Sequence, residues 1–142
     1  MFKKKPLIVF EGIEGSGKTT LIDHVAKNLK KKKLKFIKIR EPGGNNNSEL
    51  IRKLILNKNN KFNSFTDLML YFAARNENIH KVIKKNYNKK IILMDRFTDS
   101  TLAYQHYGMG LDKNLIDKIN KILLKKIKPQ AVFVNVVSEK NL

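Results

Sequence analysis

The sequence predicts an α/β fold in which a parallel sheet is flanked by helices. Four short apolar runs alternate along the chain with segments whose apolar residues recur at helical spacing. This alternation is typical of parallel sheets, because a helix usually carries the chain back between two parallel strands. Hydrophobic residues make up 42% of the 142 residues, which is enough for a buried core. We expect a single domain over residues 1–142.

The first part of the chain predicts two strands around one helix. Residues 7–11 are a short apolar run that enters a glycine-rich turn, which is typical of a buried parallel strand. From Lys18 the apolar residues follow helical spacing, with Lys and Asn opposite. Residues 35–40 alternate and predict a second strand, which Glu-Pro-Gly-Gly at 41–44 ends.

Two helices are predicted next. Residues 49–56 form a short helix, with Leu50, Ile51, Leu54 and Ile55 directed inward. A longer helix runs to about Lys85, and its N-cap is Ser64, Thr66 or Asp67. Its apolar stripe consists of Leu68, Phe72, Ile79, Val82 and Ile83. The Asn- and Lys-rich residues 57–63 between the two helices predict a surface loop.

The last part of the chain predicts two strands and two helices. Ile91–Asp95 reads as a third buried strand, and a helix follows from about Asp99. A further helix runs from about residue 112 to 126, with Leu115, Ile116, Ile119, Ile122 and Leu123 inward. Pro129 introduces a fourth strand at 131–137. Residues 138–142 read as the start of another helix, so we expect a chain truncated within an α/β domain, with 131–137 as an apolar edge strand.

Composition excludes several classes of protein. The absence of cysteine excludes disulfide scaffolds, thiolate zinc sites and cysteine nucleophiles, and the three histidines are too scattered for a metal site. No apolar run approaches the roughly 20 residues of a membrane span, and the N-terminus lacks the apolar stretch of a signal peptide. We therefore expect a cytoplasmic protein without a membrane partner.

The formal net charge of +18 comes mainly from lysine. The chain has 26 lysines, four arginines and 16 asparagines, a skew that indicates genome-wide bias. The lysines lie in runs without interleaved aromatic residues, so we expect no specific nucleic-acid partner. The arginines are more informative, because a planar guanidinium can grip a phosphate or a base edge bidentately. They are Arg40, Arg52, Arg75 and Arg96.

The strongest motif is Gly-Ile-Glu-Gly-Ser-Gly-Lys-Thr at residues 12–19, which matches the P-loop pattern between a strand and a helix. Its glycines permit positive φ and let backbone N–H groups converge on phosphate oxygens. Lys18 would reach the β- and γ-phosphates, and Thr19 would hold Mg²⁺. We therefore expect ATP and Mg²⁺ as cofactors. The residues expected to contact ATP are Gly12, Ile13, Glu14, Gly15, Ser16, Gly17, Lys18, Thr19 and Thr20.

A second group of candidate residues lies at the ends of the second and third predicted strands. Asp95 and Arg96 end the third strand at the ligand edge of the sheet. Asp95 could support Mg²⁺ through water and Arg96 could span two phosphates, whereas a surface ion pair is the alternative. The glycines at 43 and 44, beside charged residues, suit a loop over an anionic ligand and equally a plain turn.

A third group lies on predicted helices. Tyr71 and Arg75 are four residues apart and share a face that could stack on a base and bond its edge. A core aromatic beside a solvated arginine is the alternative. Thr101 and Gln105 also share a face, which offers donors and acceptors to a base or sugar, although it could equally be an ordinary polar face.

Taken together, these segments resemble bacterial thymidylate kinases in order and with similar gaps. The matching segments are Phe-Glu-Gly-Ile-Glu-Gly-Ser-Gly-Lys-Thr-Thr at 10–20, Arg-Glu-Pro-Gly-Gly at 40–44, Ile-Arg at 51–52, Phe-Ala-Ala-Arg at 72–75 and Asp-Arg-Phe-Thr-Asp-Ser-Thr-Leu-Ala-Tyr-Gln at 95–105. The resemblance runs from about residue 6 to the end. It implies a P-loop nucleoside monophosphate kinase fold, transfer of the γ-phosphoryl group of ATP to dTMP giving dTDP, and a homodimer.

The resemblance also implies roles for the residues around the phosphates. Lys18, Arg96 and Glu14 would act in the transfer, and Asp95 would join Thr19 at the metal. The residues implied near the dTMP phosphate are Arg40, Glu41, Arg52 and Arg96.

Around the nucleoside, the resemblance implies that Arg75 bonds the thymine edge and that Tyr71 stacks on the ring. Thr101 and Gln105 would face the base. Tyr104 would crowd the 2′ position of the sugar and favour deoxyribose.

Such kinases continue past this point through an arginine-bearing lid, a last strand and closing helices. We therefore expect this chain to bind its substrates but to transfer phosphoryl groups slowly. Two alternatives stay open: an inactive or weakly active nucleotide-binding fragment, and a P-loop kinase for another nucleoside monophosphate, such as dCMP or GMP.

Overall fold

The computed structural model describes residues 5–138, and its centre is one parallel sheet of four strands in the order β2-β3-β1-β4. The strands are β1 (Leu7–Gly12), β2 (Phe36–Arg40), β3 (Ile91–Asp95) and β4 (Ala131–Asn135). The predicted fold, a parallel sheet flanked by helices, is confirmed. The fourth strand ends at Asn135 rather than at residue 137, and residues 139–142, where a further helix was expected to begin, lie outside the described part.

Six helices accompany the sheet in the described chain. They are α1 (Lys18–Lys31), α2 (Asn46–Leu56), α3 (Ser64–Asn78), α4 (Lys84–Asn86), α5 (Thr98–Thr101) and α6 (Lys113–Leu124). A π-helical turn at Ile79–Ile83 joins α3 to α4, and a second, Leu102–Gly108, continues α5. π-Helical turns are rare and often lie at functional sites.

The two faces of the sheet bury separate cores, as alternating side chains require. In β3, Ile91 and Leu93 pack with α1, whereas Ile92 and Met94 pack with the end of the long α3–α4 segment. A third cluster, built from Leu68, Phe72 and Ile116, joins α3 to α6.

Three details of the helix predictions are wrong. The side chain of Asn63 caps α3, instead of Ser64, Thr66 or Asp67, by accepting a hydrogen bond from the Thr66 N–H. Leu50 and Leu54 are exposed, because α2 packs through its other stripe. Ile122 is also exposed, since its face of α6 points away from the core.

The strand register brings chemically active residues to one edge of the sheet. Gly12 at the end of β1 pairs with Asn135 of β4, and Arg40 at the end of β2 pairs with Asp95 of β3. Ligands of open parallel sheets bind beyond this carboxyl edge. β4 is an edge strand within residues 5–138, and its Val132, Phe133 and Val134 are exposed.

Within residues 5–138, every helix falls short of the length and apolar character needed to span a bilayer.

Ile116 and Ile122 of α6 give a matched test of the packing, because the sequence predicts both inward but only Ile116 is buried (0% against 68% exposed). We expect Ile116→Ala to lower the free energy of unfolding by about 2–5 kcal/mol, because it leaves a cavity. Ile122→Ala should change it by less than about 0.5 kcal/mol. Urea denaturation measures both, and equal losses would show that α6 is rotated.

Candidate functional site

A cavity of about 750 Å³ lies at the carboxyl edge of the sheet. It brings together nearly all the residues that the sequence predicts for the site, from the P-loop through to the helix after β3. The predicted residues that line it are Glu14, Gly15, Ser16, Gly17, Lys18, Thr19, Thr20, Arg40, Glu41, Arg52, Tyr71, Arg75, Asp95, Arg96, Thr101, Tyr104 and Gln105. Gly12 and Ile13 do not line it. Four residues that sequence reasoning did not select also contribute: Pro42, Leu56, Phe97 and Ser100.

The P-loop connects β1 to α1 and depends on glycine where it leaves the strand. Gly12 has φ 140°, and a side chain there would come within 2.7 Å of the Asn135 carbonyl oxygen and 2.9 Å of Ser16 Oγ. The Asn135 side chain then donates to the carbonyl of Ser16 at 3.2 Å, which fastens the loop to β4. Within the described chain no side chain caps α1, so its first N–H groups are available to an anion.

Lys18 is folded back into the loop. Its Nζ donates to the carbonyl oxygens of Gly12 and Ile13, at 2.8 and 2.7 Å. Burial lowers the pKa of Lys18, and the charge of Arg96 adds to the effect, while nearby carboxylates, those of Asp95, Glu11 and Glu14, act in the opposite direction. The ammonium is therefore poorly solvated, which strengthens its attraction for a phosphate.

Arg96 leaves β3 in a left-handed conformation, with φ 65°. Glu11, which is buried, stabilises this turn, because its carboxylate accepts from the Phe97 N–H at 2.8 Å and from Ser100 Oγ at 2.6 Å. Arg96 Nη1 in turn donates to Ser100 Oγ at 3.2 Å and to the hydroxyl of Tyr104 at 3.3 Å. The strained backbone and the guanidinium are thus fixed by the same carboxylate.

Two residues that line the cavity, Arg75 and Glu41, form a buried ion pair. Arg75 Nε donates to Glu41 Oε2 at 2.7 Å, and the two side chains are 2% and 5% exposed. Nη1 donates to Asn120 of α6, and Nη2 donates to the Phe97 carbonyl and to Thr101 Oγ1. Burial raises the pKa of Glu41, against the opposing effect of the Arg75 cation. Arg75 is therefore not a solvated side chain. Four of its five guanidinium N–H groups donate to protein acceptors, and one is left for a ligand.

The segment 40–44 is held against α2 and α3. Asn78 Nδ2 donates to the Gly43 carbonyl at 2.6 Å, and Ser48 Oγ accepts from the Gly43 N–H. Arg40, which is half exposed, pairs with Glu49 through Nη2, and this pairing is the main cause that lowers the pKa of Glu49. The segment thus presents two charged side chains to the cavity from a rigid loop.

A polar face lies beside the ion pair. Thr101 and Gln105 are 2% and 1% exposed and line the cavity, so neither belongs to an ordinary solvated surface. Gln105 Nε2 donates to Asp67 Oδ2 at 3.2 Å. Burial raises the pKa of Tyr71, which lies one helical turn after Asp67, and the charge of Asp67 adds to the effect.

A divalent cation has suitable acceptors in this cavity. Asp95 Oδ1 and Glu41 Oε1 are buried without a hydrogen-bond partner, and the hydroxyl-bearing Thr19 lines the same space. The part of the chain that the structure describes has no cluster of three acidic, histidine or cysteine side chains. Mg²⁺ rarely needs one, because it is usually held by one or two carboxylates, waters and substrate phosphates. The residues present therefore fit Mg²⁺.

Sequence reasoning missed the residues that hold the site residues in place. Glu11 had a usable signal, because it is an acid at the carboxyl end of a strand, the same argument that singles out Asp95. The sequence carries no such signal for Glu49, Asn120 and Asp67. Each contacts its partner from a different element of the fold: Glu49 contacts Arg40, Asn120 contacts Arg75 and Asp67 contacts Gln105.

Comparison with known proteins gives consistent matches. A family model described as thymidylate kinase matches residues 10–142. Two curated relatives, both named thymidylate kinase, come from Prochlorococcus marinus and Prosthecochloris aestuarii. The first is 43% identical over 92% of this chain, which covers 65% of the length of that relative. The second is 42% identical over 89% of this chain, which covers 57% of the length of that relative. The chain thus spans less than two thirds of either. A crystal structure of thymidylate kinase from Ehrlichia chaffeensis is 38% identical, with a TM-score of 0.88 over 96% of this chain and 75% of that one.

The Arg75–Glu41 pair leads to a stability prediction. We expect Arg75→Met to lower the free energy of unfolding by about 3–5 kcal/mol, because a buried carboxylate loses its partner. Arg40→Met is the matched control, since the Arg40 side chain is 53% exposed, and it should cost at most about 1 kcal/mol. Adding Glu41→Gln to Arg75→Met should recover part of the loss. Urea denaturation without nucleotide measures all three, and equal losses in the two single variants would contradict the argument.

Proposed function

Because the chain belongs to the thymidylate kinase family, we propose that it transfers the γ-phosphoryl group of ATP to dTMP, giving ADP and dTDP. The observation that carries the proposal is that one cavity of about 750 Å³ is lined both by the P-loop and by Arg75, Thr101 and Gln105. A phosphate donor and a nucleoside monophosphate can thus meet within it.

The donor end is the P-loop with the start of α1. The uncapped N–H groups of α1 and the Lys18 ammonium would bind the β- and γ-phosphates. In doing so, Lys18 would exchange the carbonyls of Gly12 and Ile13 for phosphate oxygens. Thr19 and Asp95 would hold Mg²⁺, with Glu41 close by. When bound, Mg²⁺ neutralises charge on the phosphates.

The acceptor phosphate would lie between two loops. Arg40 and Arg52 approach from the side of β2 and α2, and Arg96 approaches from β3. Arg52 Nη1 donates to the Pro42 carbonyl at 2.8 Å, which fixes the guanidinium beside the cavity. The guanidinium groups of Arg40, Arg52 and Arg96 line the same cavity and would together bind a monophosphate.

The polar groups of the Arg75–Thr101–Gln105 face are complementary to the edge of a thymine ring. Thr101 Oγ1 accepts from Arg75, so its own hydroxyl hydrogen remains available to a base carbonyl. Gln105 donates through Nε2 to Asp67, so its carbonyl oxygen remains available to a base N–H. A donor beside an acceptor matches O4 and N3–H of thymine, whereas cytosine presents the opposite order. Tyr71 would stack on the ring, and Tyr104 would exclude a 2′-hydroxyl.

The chemical step needs little besides positioning. An oxygen of the dTMP phosphate attacks the γ-phosphorus, the bond to the β–γ bridging oxygen breaks, and ADP leaves with that electron pair. Lys18 and Arg96 would stabilise the charge that spreads over the transferring group. The Glu14 carboxylate lines the cavity at the P-loop and helps to keep Lys18 charged.

The proposal extends to partners and location. We propose a homodimer, which is supported by leucines exposed on α2, because a second copy would cover apolar surface there. They are Leu50 and Leu54. Organisation as one domain, a cytoplasmic location and the absence of specific nucleic-acid binding stay predictions.

The donor end is tested through Lys18. We expect Mg-ATP to raise the melting temperature of the native chain, because ligand at 100 times its Kd adds about 2.7 kcal/mol. Lys18→Ala should lose this stabilisation, since the phosphates lose their point charge, whereas Lys27→Ala, exposed on the same helix, should keep it. Differential scanning fluorimetry is the measurement. An undiminished shift in Lys18→Ala would remove the P-loop assignment.

The acceptor end is tested with a panel of deoxynucleoside monophosphates. We expect dTMP to bind more tightly than dCMP or dGMP, because each unpaired buried polar group costs about 1–3 kcal/mol. Isothermal titration calorimetry gives the affinities, and ADP release with ATP and each nucleotide shows turnover. A panel with equal affinities would contradict a thymidylate site, and a preference for dCMP or dGMP would favour another nucleotide kinase. Binding of dTMP with ATP unchanged would indicate an inactive fragment.

A further inference from the structure

We infer that Asp67 sets base specificity by fixing the orientation of the Gln105 side-chain amide. The inference rests on the proposed function, because it concerns the base of the nucleotide acceptor. Asp67 lies on α3, and Gln105 lies on the π-helical turn that follows α5, so two distant segments meet at this contact.

The chemistry of the contact leaves Gln105 one orientation. The Asp67 carboxylate has only acceptor oxygens, so the group that faces it must be the amide nitrogen. The distance from Gln105 Nε2 to Asp67 Oδ2 is 3.2 Å. Asp67 lies in the first turn of α3, where the helix dipole stabilises a negative charge.

The oxygen of the same amide therefore points away from Asp67. Gln105 is 1% exposed and lines the cavity, and within residues 5–138 the side-chain hydrogen bond that it makes is the one from Nε2 to Asp67. Its Oε1 is therefore left to accept from a ligand donor such as N3–H of thymine or uracil. A cytosine ring presents an acceptor at N3, which would face the Gln105 oxygen and leave both unpaired.

Gln105 alone cannot enforce this choice. The oxygen and the nitrogen of its amide group have nearly the same shape and differ only in that the nitrogen donates and the oxygen accepts. Rotation of the amide by 180° would therefore present N–H groups to the cavity. Asp67 makes that rotation costly, because it would place the Gln105 oxygen against a carboxylate. Asp67 is thus a positioning residue, and it discriminates between bases without touching one.

The experiment compares Asp67→Asn with the native chain. An asparagine can donate or accept, so the Gln105 amide gains its second orientation. We expect the ratio of dTMP to dCMP affinity to fall by about threefold or more. Asp67→Ser should lower the ratio as well, because a hydroxyl also serves both roles. Asp67→Glu keeps an acceptor-only group and should retain most of the ratio. Asp117→Asn on α6 is the matched control and should leave it unchanged.

The ratio separates specificity from general damage. A loosened cavity would weaken dTMP and dCMP binding together and leave their ratio unchanged. An unchanged ratio in Asp67→Asn and Asp67→Ser would overturn the inference, and so would an equal fall in Asp67→Glu. If the native chain itself binds dTMP and dCMP equally, the proposed function fails and the inference fails with it. Calorimetric titration with each nucleotide, on variants whose urea midpoints have been measured, distinguishes these results.

Discussion

The guanidinium of Arg75 is the interaction on which the arrangement of the site depends. It joins the loop after β2 through Glu41, the end of β3 through the Phe97 carbonyl, α5 through Thr101 and α6 through Asn120. A lysine could not make these contacts together, because only a planar fork donates in several fixed directions. Desolvation makes such a pair a weak source of net stability but a strong constraint on geometry, since either partner alone would be a buried unpaired group. Arg75 therefore keeps the loop after β2 and the segment after β3 at a fixed separation.

A second constraint acts where the sheet meets the P-loop. The carboxylate of Glu11, in β1, accepts from the residues after β3, so the strand that supplies the P-loop also holds Arg96 in its left-handed turn. The segments that carry Lys18 and Arg96 are consequently held together by Glu11, although the two residues are distant in sequence. Precise positioning matters for phosphoryl transfer, in which the protein contributes mainly orientation and charge.

The sequence predicts the sheet and the ligand edge well, because both follow from local patterns. A P-loop between an apolar run and an amphipathic helix, together with Asp95 at a strand end, was enough to locate the cavity. Local patterns could not show which apolar stripe of α2 packs inward, so Leu50 and Leu54 were placed wrongly. Nor could they show that Arg75 meets Glu41, since the two residues are joined only by the tertiary fold. The spacing of Thr101 and Gln105 predicts a shared helix face, but it could not show that this segment is π-helical or that Gln105 is buried.

The distribution of unsatisfied polar atoms connects stability to function. Buried side-chain acceptors without partners are rare in folded proteins, because each costs about 1–3 kcal/mol. Within residues 5–138 they are Ser16 Oγ, Glu41 Oε1 and Asp95 Oδ1, and all three residues line the one cavity. Two are carboxylate oxygens facing the region where a cation and phosphates would bind. The free-energy cost of these unpaired atoms is therefore concentrated where a charged ligand would offset it. Ligand binding at this site should consequently stabilise the fold.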